Sequence, residues 1–450
     1  GQTFDFIFCD VPVSVKVVAD KEVDPEFGTG AIGVTPAHSK IDWDIADRAN
    51  IDHRPQVINE YAKMVAEGRL SGLKVTAARE EVVKWLEEEN LLEKTEDIKQ
   101  NVSTAERTGG IIEPLPKLQW WISVDKEFII KHSEITGIES GEKISLKELM
   151  RKSVENGDVV FPQDRFRKIY FHWIENLHDW CISRQIWFGH RIPAWYKEDE
   201  IKVQTNSPGE GWEQEEDVLD SWFSSALWTF STLGWPEQTK DLETFHPTSF
   251  MSPGYEILPL WVSRMILMSG FHLGQVPFKA VMIHGLVRDK QGQKFSKSLK
   301  NGTDPLEMVK LYSADALRMS VLMGTAIGND IRFDEQQVRG YQKFANKLWN
   351  ISRFVLTSNA DVNWEQVPEL SERDEEIIRK LKQTVSEVSD EIDKFSLYLG
   401  AEKAYPYVWH ELADVVLEES KDILTGADES AKYARQYVLK ECLITSLKIL

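Results

Sequence analysis

Residues 281–305 constrain the fold of this chain more than any other stretch. An apolar run over residues 281–283 ends in His284 and Gly285, and a polar turn then leads to residues 294–298. This loop carries two lysines and two serines, which suits the binding of a polyanion, although a solvated basic turn is the alternative. The stretch therefore predicts a short loop that can bind a polyanion.

The bulk composition indicates a globular protein of about two to four domains. Of its 450 residues 42% are hydrophobic and 28% are charged, and no apolar run has the length of a membrane span. The net charge of −20 argues against indiscriminate nucleic-acid binding but leaves room for local basic surfaces. The three cysteines lie far apart without a CxxC pair. We therefore expect no zinc site and no disulfide, and a reducing compartment fits best.

Residues 1–116 predict a β-rich module. Residues 11–18 alternate and are β-branched, which favours a strand. The glycines of residues 27–35 favour a second, short strand between tight turns. The spacing of apolar residues beyond Ser39 predicts a helix that has Ser39 as its N-cap and Asp42 in its first turn. In this interpretation Asp42 is an acid that stabilises the start of a helix.

Aromatic residues dominate two parts of residues 117–330. Trp173, Leu177 and Trp180 have the spacing of a buried helix face. Residues 220–228 place two tryptophans and a phenylalanine beside an aspartate, which is typical of a strand end covered by aromatic side chains.

An acidic residue follows a short apolar run before the basic loop. Gly254 and Glu256 follow Phe250 and Met251 within five residues. A carboxylate just past a glycine at the carboxyl end of a strand suits the hydroxyl groups of a ribose. Glu256 is therefore a candidate nucleotide-binding residue.

Residues 331–450 predict a helical bundle. Arg339, Lys343 and Lys347 recur every four residues, so one helix face carries three cations. This face is either solvated or in contact with an RNA backbone. Further helices are predicted over residues 372–399 and 401–420, with a kink at Pro406, and the last is predicted to begin near Glu429.

Several motifs occur in the order known from one protein family. Residues 281–305 resemble the signature loop of the class I aminoacyl-tRNA synthetases, Lys-Met-Ser-Lys-Ser, with Phe295 in place of the methionine. GTGAIGVTPAH, WCISRQIWFGHRIP, WFSSALW and FANKLWNISRF resemble elements of the valyl, isoleucyl and leucyl group. Among these enzymes, WFSSALW, LGWP and VTPAH favour valine over isoleucine. An isoleucyl-type synthetase and a non-catalytic tRNA-binding paralogue are the alternatives.

The resemblance implies an α/β multidomain fold with three domains. Residues 1–116 would be part of an editing domain, residues 117–330 the second half of a Rossmann-like catalytic domain, and residues 331–450 a helical junction with an incomplete anticodon-binding domain. The second class I signature, similar to His-Ile-Gly-His, has no counterpart in the expected place, and we interpret His272 as structural. We therefore expect the first half of the catalytic domain to precede Gly1, and the chain alone not to activate an amino acid.

The resemblance also implies roles for individual residues. The catalytic residues would be Lys294 and Lys297, and the other ATP-binding residues would be Ser296, Ser298, His284, Gly285, Gly254 and Glu256. The amino-acid pocket would comprise Trp222, Ile257 and Trp261. The editing pocket would comprise Thr35, His38 and Asp42, and the tRNA contacts would be Arg339, Lys343 and Lys347.

Besides Phe295, three positions depart from the family pattern. Glu256 stands where aspartate is usual, so its bond to a ribose requires a small shift of the backbone or the sugar. Gly33 and Ser39 replace a lysine and an aspartate of the editing motif, which puts full editing activity in question.

The function implied is activation of valine with ATP and its transfer to tRNA(Val), with hydrolysis of mischarged threonyl-tRNA. An apolar pocket cannot strongly reject an isosteric side chain that carries a hydroxyl, a limit documented for this class of enzyme, and this limit explains why an editing module would be needed. ATP would enter with Mg²⁺ as substrate, and no other metal, including zinc, is expected. The partners would be tRNA(Val), valine and ATP, without a membrane. We expect a monomer in the cytoplasm.

Overall fold

The computed structural model describes the chain as two compact units. The described residues are 1–26, 28–97, 99, 101–105, 108–296, 300–363 and 367–450. The first unit comprises residues 1–119 and the second residues 120–450. The three-domain division of the chain stays a prediction.

The first unit contains one hairpin and two α-helices among its described residues. Its elements are the antiparallel strands β1 (Thr3–Phe8) and β2 (Val11–Lys16) and the helices α1 (Lys40–Arg48) and α2 (Val75–Glu88). Its small core contains Cys9, Leu70, Ala78 and Trp85. The strand predicted over residues 11–18 is thus confirmed as β2.

The glycine-rich strand predicted over residues 27–35 is wrong. Residues 28–35 form turns and irregular loop instead of a strand, and Phe27 lies outside the described residues. Gly28 and Gly30 have φ values of 58° and 70°, in the left-handed region that glycine tolerates and a strand does not. Gly28 and Gly30 therefore bend the chain before α1.

Helix α1 begins as predicted. The Ser39 hydroxyl accepts a hydrogen bond from the backbone N–H of Asp42 at 3.3 Å, so Ser39 is the N-cap and Asp42 lies in the first turn. Ile45 and Ala46 are buried, and they fix the face of the helix that packs inward.

The second unit is mixed α/β. Its strands are β3 (Trp121–Ile122), β4 (Glu127–Ile129), β5 (Lys143–Ser145), β6 (Trp180–Cys181), β7 (Ser183–Arg184), β8 (Ala194–Lys197), β9 (Glu200–Val203), β10 (Glu213–Gln214), β11 (Val218–Leu219), β12 (Thr248–Met251), β13 (Phe278–Val281), β14 (Val287–Arg288) and β15 (Ile331–Arg332). Two pairs, β12–β13 and β14–β15, are parallel, whereas β3–β6, β4–β5, β7–β11 and β10–β8–β9 are antiparallel.

The longest helices of the second unit lie in its C-terminal part. They are α3 (Leu146–Glu155), α4 (Asp164–Glu175), α5 (Ser221–Ser225), α6 (Trp228–Ser231), α7 (Lys240–Phe245), α8 (Ser263–Leu273), α9 (Pro305–Tyr312), α10 (Ala314–Leu322), α11 (Glu335–Ser358), α12 (Glu372–Asp393), α13 (Leu397–Pro406), α14 (Leu417–Thr425) and α15 (Glu429–Ile449). A π-helical segment, Leu258–Val262, leads directly into α8, and another, Tyr407–Val416, joins α13 to α14.

The parallel pair β12–β13 and helix α8 form a β-α-β unit in the centre of the core. The chain leaves β12, passes through α8 and returns as β13 beside β12. Val160 forms a further parallel bridge to Ala280, on β13. Residues 263–270 of α8 are all buried, as expected of a helix covered on every side. This arrangement confirms the α/β fold that the resemblance implies for this part of the chain.

The predicted helix face of Trp173, Leu177 and Trp180 is only partly correct. Helix α4 contains Trp173 but ends at Glu175, and Trp180 lies in β6. Leu177 and Trp180 are nevertheless buried in the same core. Their burial therefore comes from tertiary packing beyond the end of the helix and not from a shared helix face.

The C-terminal helices differ from the prediction in their breaks. The helix predicted to span residues 372–399 ends at Asp393, and Phe395 follows with a left-handed φ of 59°. Pro406 lies where α13 passes into the π-helical segment. Because proline has no backbone N–H to donate, the hydrogen-bond pattern of an α-helix is interrupted at this residue, and the pattern changes there. The last helix begins at Glu429, as predicted.

A buried ion pair joins two of these helices. Arg435 of α15 donates from Nε to a carboxylate oxygen of Asp374 in α12 at 2.7 Å, and the two side chains are only 3% and 5% exposed. The Ser371 hydroxyl and the Ser420 hydroxyl complete the hydrogen bonding of the pair. Removing one charge of such a pair leaves the other charge buried in the core without a partner.

We predict that Arg435→Met destabilises the chain by about 3–5 kcal/mol, because it leaves the Asp374 carboxylate buried without a cation. Urea unfolding followed by far-UV circular dichroism measures the loss. The control is Arg318→Met, since the ion pair of Arg318 with Asp315 is exposed and contributes little. Equal unfolding midpoints of the two variants would contradict the prediction.

Candidate active site

The candidate site lies where the parallel strands β12 and β13 end. Beyond the strands the two segments stay together, since Gly254 forms a parallel bridge to His284 and the His284 N–H donates to the Pro253 carbonyl at 3.0 Å. The structure therefore brings the predicted ribose motif beside the predicted His-Gly motif. Both lie at the carboxyl ends of parallel strands, where α/β folds bind ligands.

An ion pair connects the two predicted ATP-binding elements. Lys294 donates from Nζ to the carboxylate of Glu256, which belongs to the 3₁₀ turn Tyr255–Ile257. About half of each side chain is exposed, 51% for Lys294 and 47% for Glu256. A ligand that enters from solvent can reach both charges. Lys297 and Ser298 lie outside the described residues.

Short-range contacts fix the base of the loop. The turn before it closes through a hydrogen bond from the Gly292 N–H to the Asp289 carbonyl at 3.0 Å. The Phe295 N–H donates to the Val287 carbonyl at 3.3 Å, and the Phe295 ring packs edge-on against Phe333 with 6.2 Å between centroids. Phe295 therefore fills, by aromatic packing, the position where methionine is usual.

A second ion pair supports this base. Arg288 pairs with Asp330, whose other carboxylate oxygen accepts from the Leu286 N–H at 2.9 Å. Tyr255, next to Glu256, also bonds to Asp330 at 3.3 Å. Burial alone would raise the pKa of Asp330, but the hydrogen bonds from Leu286 and Arg288 outweigh it and lower the pKa below its usual range. Sequence reasoning missed this cluster.

Gly285 is required by the backbone that passes beside it. A Cβ atom at this position would lie 1.9 Å from the Asn329 carbonyl oxygen, which is far inside van der Waals contact. The structure thus gives a reason for this glycine that is independent of a nucleotide. A role beside the adenine stays a prediction.

Two of the predicted pocket residues come from adjacent short elements. Trp222 lies in α5 and Trp261 in the π-helical segment before α8. The Trp261 indole N–H donates to the Ser225 carbonyl of α5 at 2.9 Å, which joins the elements. Trp228 packs against Trp261 at 6.1 Å between centroids. Ile257 directly precedes the π-helical segment, and like Trp222 and Trp261 it is half-buried.

A buried carboxylate orients the helix that carries Trp222. Asp220 is 5% exposed and accepts at one oxygen from the Trp222 N–H at 3.1 Å, as the N-cap of α5. Its other oxygen accepts from the Trp180 indole at 3.2 Å and from Arg184 at 2.6 Å. Sequence reasoning noted this aspartate beside aromatic residues but gave it no partner, because Trp180 and Arg184 lie about 40 residues earlier in the chain.

A buried arginine lies behind this carboxylate. The Arg264 guanidinium is 4.0 Å from the centroid of Trp180 and 5.2 Å from that of Trp173. Burial lowers the pKa of Arg264 to about 10, and the charge of Asp220 acts against this shift. The aromatic faces offer the cation partial compensation for its lost hydration.

The predicted editing residues come together in the first unit. One carboxylate oxygen of Asp42 accepts from the backbone N–H of Thr35 at 2.8 Å and from its hydroxyl at 3.2 Å. The His38 ring is held between the Pro114 carbonyl at Nδ1, 3.1 Å away, and the Val57 N–H at Nε2, 2.9 Å away. His38 therefore fixes the loop, whereas Asp42 presents a charge at its edge.

The three cations of α11 have different surroundings. Lys347 donates to Asp414 at 2.7 Å and lies 4.3 Å from the centroid of the Trp409 ring, so it packs against a neighbouring helical segment. Arg339 and Lys343 are exposed. Only these two are accessible enough to meet an RNA backbone without breaking a contact within the chain.

Comparisons with known proteins identify the family. Residues 18–210 and 200–334 match the family model for class I tRNA synthetases (I, L, M and V), and residues 374–450 match the model for the anticodon-binding domain of tRNA ligases. This chain belongs to the class I tRNA synthetases. The family assignment confirms the resemblance seen in the signature loop.

Curated relatives of this class I synthetase chain are valine–tRNA ligases. Those of Clostridium acetobutylicum and Clostridium tetani are each 42% identical over 97% of this chain. The alignments cover 49% of each relative, so the chain spans about half the length of the curated relatives it matches.

A solved synthetase structure shares the fold. Methionyl-tRNA synthetase of Mycobacterium tuberculosis, bound to methionyl-adenylate, aligns with a TM-score of 0.54 and 18% identity, and the alignment covers 72% of this chain and 64% of that chain. At this identity the likeness concerns the fold alone. Within the described residues, no helix is long and apolar enough to cross a membrane, and no group of three or more metal-ligating side chains is found.

Proposed function

We propose that this chain is part of a valine–tRNA ligase and supplies one side of its ATP site. The observation that carries the proposal is the meeting of Glu256 and Lys294 at the carboxyl ends of β12 and β13. A carboxylate for ribose hydroxyls and an ammonium for phosphates lie next to each other there. The relatives' shared activity supports valine as the amino acid.

In the proposed reaction a carboxylate oxygen of valine attacks the α-phosphorus of ATP. A new P–O bond forms, and the bond from this phosphorus to the bridging oxygen of pyrophosphate breaks. Valyl-adenylate and pyrophosphate result. A terminal ribose hydroxyl of tRNA(Val) then attacks the valyl carbonyl carbon, and AMP leaves.

Lys294 stabilises the negative charge that moves onto the leaving pyrophosphate, and such electrostatic stabilisation supplies most of the catalysis in phosphate chemistry. Before ATP binds, Glu256 neutralises this lysine. When ATP binds, it replaces the ion pair with two contacts: its ribose hydroxyls bind Glu256 and its phosphates bind Lys294. Lys297, Ser296 and Ser298 are proposed to assist at the phosphates, with Mg²⁺ entering as the counter-ion of ATP.

The half-buried side chains of Trp222, Ile257 and Trp261 are proposed to contact the valine side chain. Asp220 supports this pocket because it caps the helix of Trp222. A pocket of indoles and one β-branched side chain excludes larger amino acids by steric clash and admits threonine, which has nearly the shape of valine.

Asp42 is proposed to hold the ammonium group of mischarged threonyl-tRNA for hydrolysis. Its carboxylate is oriented by Thr35 and lies at the edge of a loop that His38 fixes. Arg339 and Lys343 are proposed to contact the tRNA(Val) backbone. A monomeric state and a cytoplasmic location stay predictions.

The activation step is tested by ATP–pyrophosphate exchange with the full-length protein that contains this chain. We expect exchange that depends on valine, and a roughly 100-fold lower kcat with an unchanged KM for valine in Lys294→Ala, because one phosphate-stabilising charge is lost. Lys290→Ala is the matched control, since Lys290 is an exposed lysine of the same turn. Absence of valine-dependent exchange by the wild type would refute the ligase and favour a non-catalytic tRNA-binding protein.

The editing proposal is tested by hydrolysis of threonyl-tRNA(Val). Asp42→Ala in the full-length protein should slow hydrolysis about 10- to 100-fold, the usual effect of losing a hydrogen bond to a charged group. Asp44→Ala, in the same helix, is the control. Unchanged hydrolysis in Asp42→Ala would mean that Asp42 serves only the start of α1.

A further inference from the structure

Asn301 holds the described part of the signature loop, residues 294–296, and the turn before it through three hydrogen bonds. Its side-chain oxygen accepts from the Ser296 backbone N–H at 2.9 Å. Its amide nitrogen donates to the Lys294 carbonyl at 3.1 Å and to the Asp289 carboxylate at 2.8 Å. One side chain thus bonds the backbone on both sides of Phe295 and the turn that precedes the loop.

The local backbone makes these contacts possible. Lys300 has a left-handed φ of 51°, an uncommon conformation outside glycine, and directly precedes Asn301. Only an amide side chain offers an acceptor and two donors together on so short a stem. Glutamine has the same groups on a longer stem, and aspartate accepts without donating.

Asp289 completes the arrangement. One of its oxygens accepts from the Gln293 N–H at 2.8 Å while the other accepts from Asn301. The Asn301 hydrogen bond is the largest of the influences that lower the pKa of Asp289, so the carboxylate is charged at neutral pH and its bond to Asn301 is charge-assisted. We call Asp289 and Asn301 the loop clasp.

We propose that Asn301, with Asp289, is a positioning residue that fixes the backbone of Lys294 and Ser296 and so directs their side chains to a bound polyphosphate. The second half of this statement rests on the proposed ATP site. The clasp holds main-chain atoms, so it determines where the Lys294 ammonium group can reach without itself touching the ligand. The Lys294–Glu256 ion pair then sets the starting position of that group.

The clasp is tested first without any ligand, by residue-resolved hydrogen exchange of this chain. In Asn301→Ala the Ser296 amide should exchange about 10-fold faster, because the hydrogen bond that it donates to the Asn301 side chain is lost. The Phe295 amide, bonded to Val287, should stay protected, which excludes general unfolding. Asn350→Ala on the exposed face of α11 is the matched control and should change neither amide.

Exchanging the asparagine and the aspartate of the clasp tests whether their contact protects the Ser296 amide, as opposed to a general loss of stability. Asn301→Asp keeps the acceptor for Ser296 but puts two carboxylates face to face, so protection should fall. Adding Asp289→Asn restores an amide–carboxylate pair with its direction reversed, and Ser296 protection should recover. Failure of Asn301→Ala to change exchange at Ser296, or of the swap to restore protection, would overturn the clasp.

The consequence for the ligand is measured in the full-length protein by ATP–pyrophosphate exchange. Asn301→Ala should lower kcat about 10-fold with an unchanged KM for valine, and the swap should recover part of it. If Asn301→Ala speeds hydrogen exchange at Ser296 but leaves kcat at the wild-type value, the positioning role is wrong. No exchange by the wild type would refute the proposed function instead, and the hydrogen-exchange result would still decide whether the clasp exists.

Discussion

The parallel pairing of β12 with β13 is the constraint on which the candidate site depends. Its register continues past the strands to Gly254 and His284, so two segments separated by a whole buried helix end side by side. This alignment determines where the chain places Glu256 and Lys294. Glu256 comes one turn after the first segment, and the loop with Lys294 comes shortly after the second.

The magnitude of the Glu256–Lys294 interaction suits a site that must open for its ligand. An ion pair with about half of each side chain in water contributes roughly 0–1 kcal/mol. Micromolar binding of a ligand corresponds to about 8 kcal/mol, so ATP can replace this pair at small cost. The buried pair of Arg435 and Asp374 is the opposite case, because it cannot open without leaving a charge in the core.

Local sequence signals predicted local structure well, whereas contacts between distant residues were not predictable from one sequence. Ser39 caps its helix as expected, because N-cap preference depends on atoms within one turn. Trp180 was expected on a helix and lies in a strand, since an aromatic residue is buried in either. The clasp of Asp289 and Asn301 was not predicted, because the residue with the left-handed φ is Lys300 and not a glycine, so no turn was expected there. The family motifs located the candidate ATP site, but its ion pairs needed the folded chain.

The central claim, that Glu256 and Lys294 form two sides of one nucleotide site, is tested most directly by a double-mutant cycle on ATP affinity in the full-length protein. In each single alanine variant one contact with ATP is lost, but ATP no longer has to break the ion pair in order to bind. The double variant loses both contacts and avoids the cost of breaking the ion pair only once. The combined loss of affinity should therefore exceed the product of the single losses by about 2- to 5-fold. A combined loss equal to that product would mean that the two residues act at separate places.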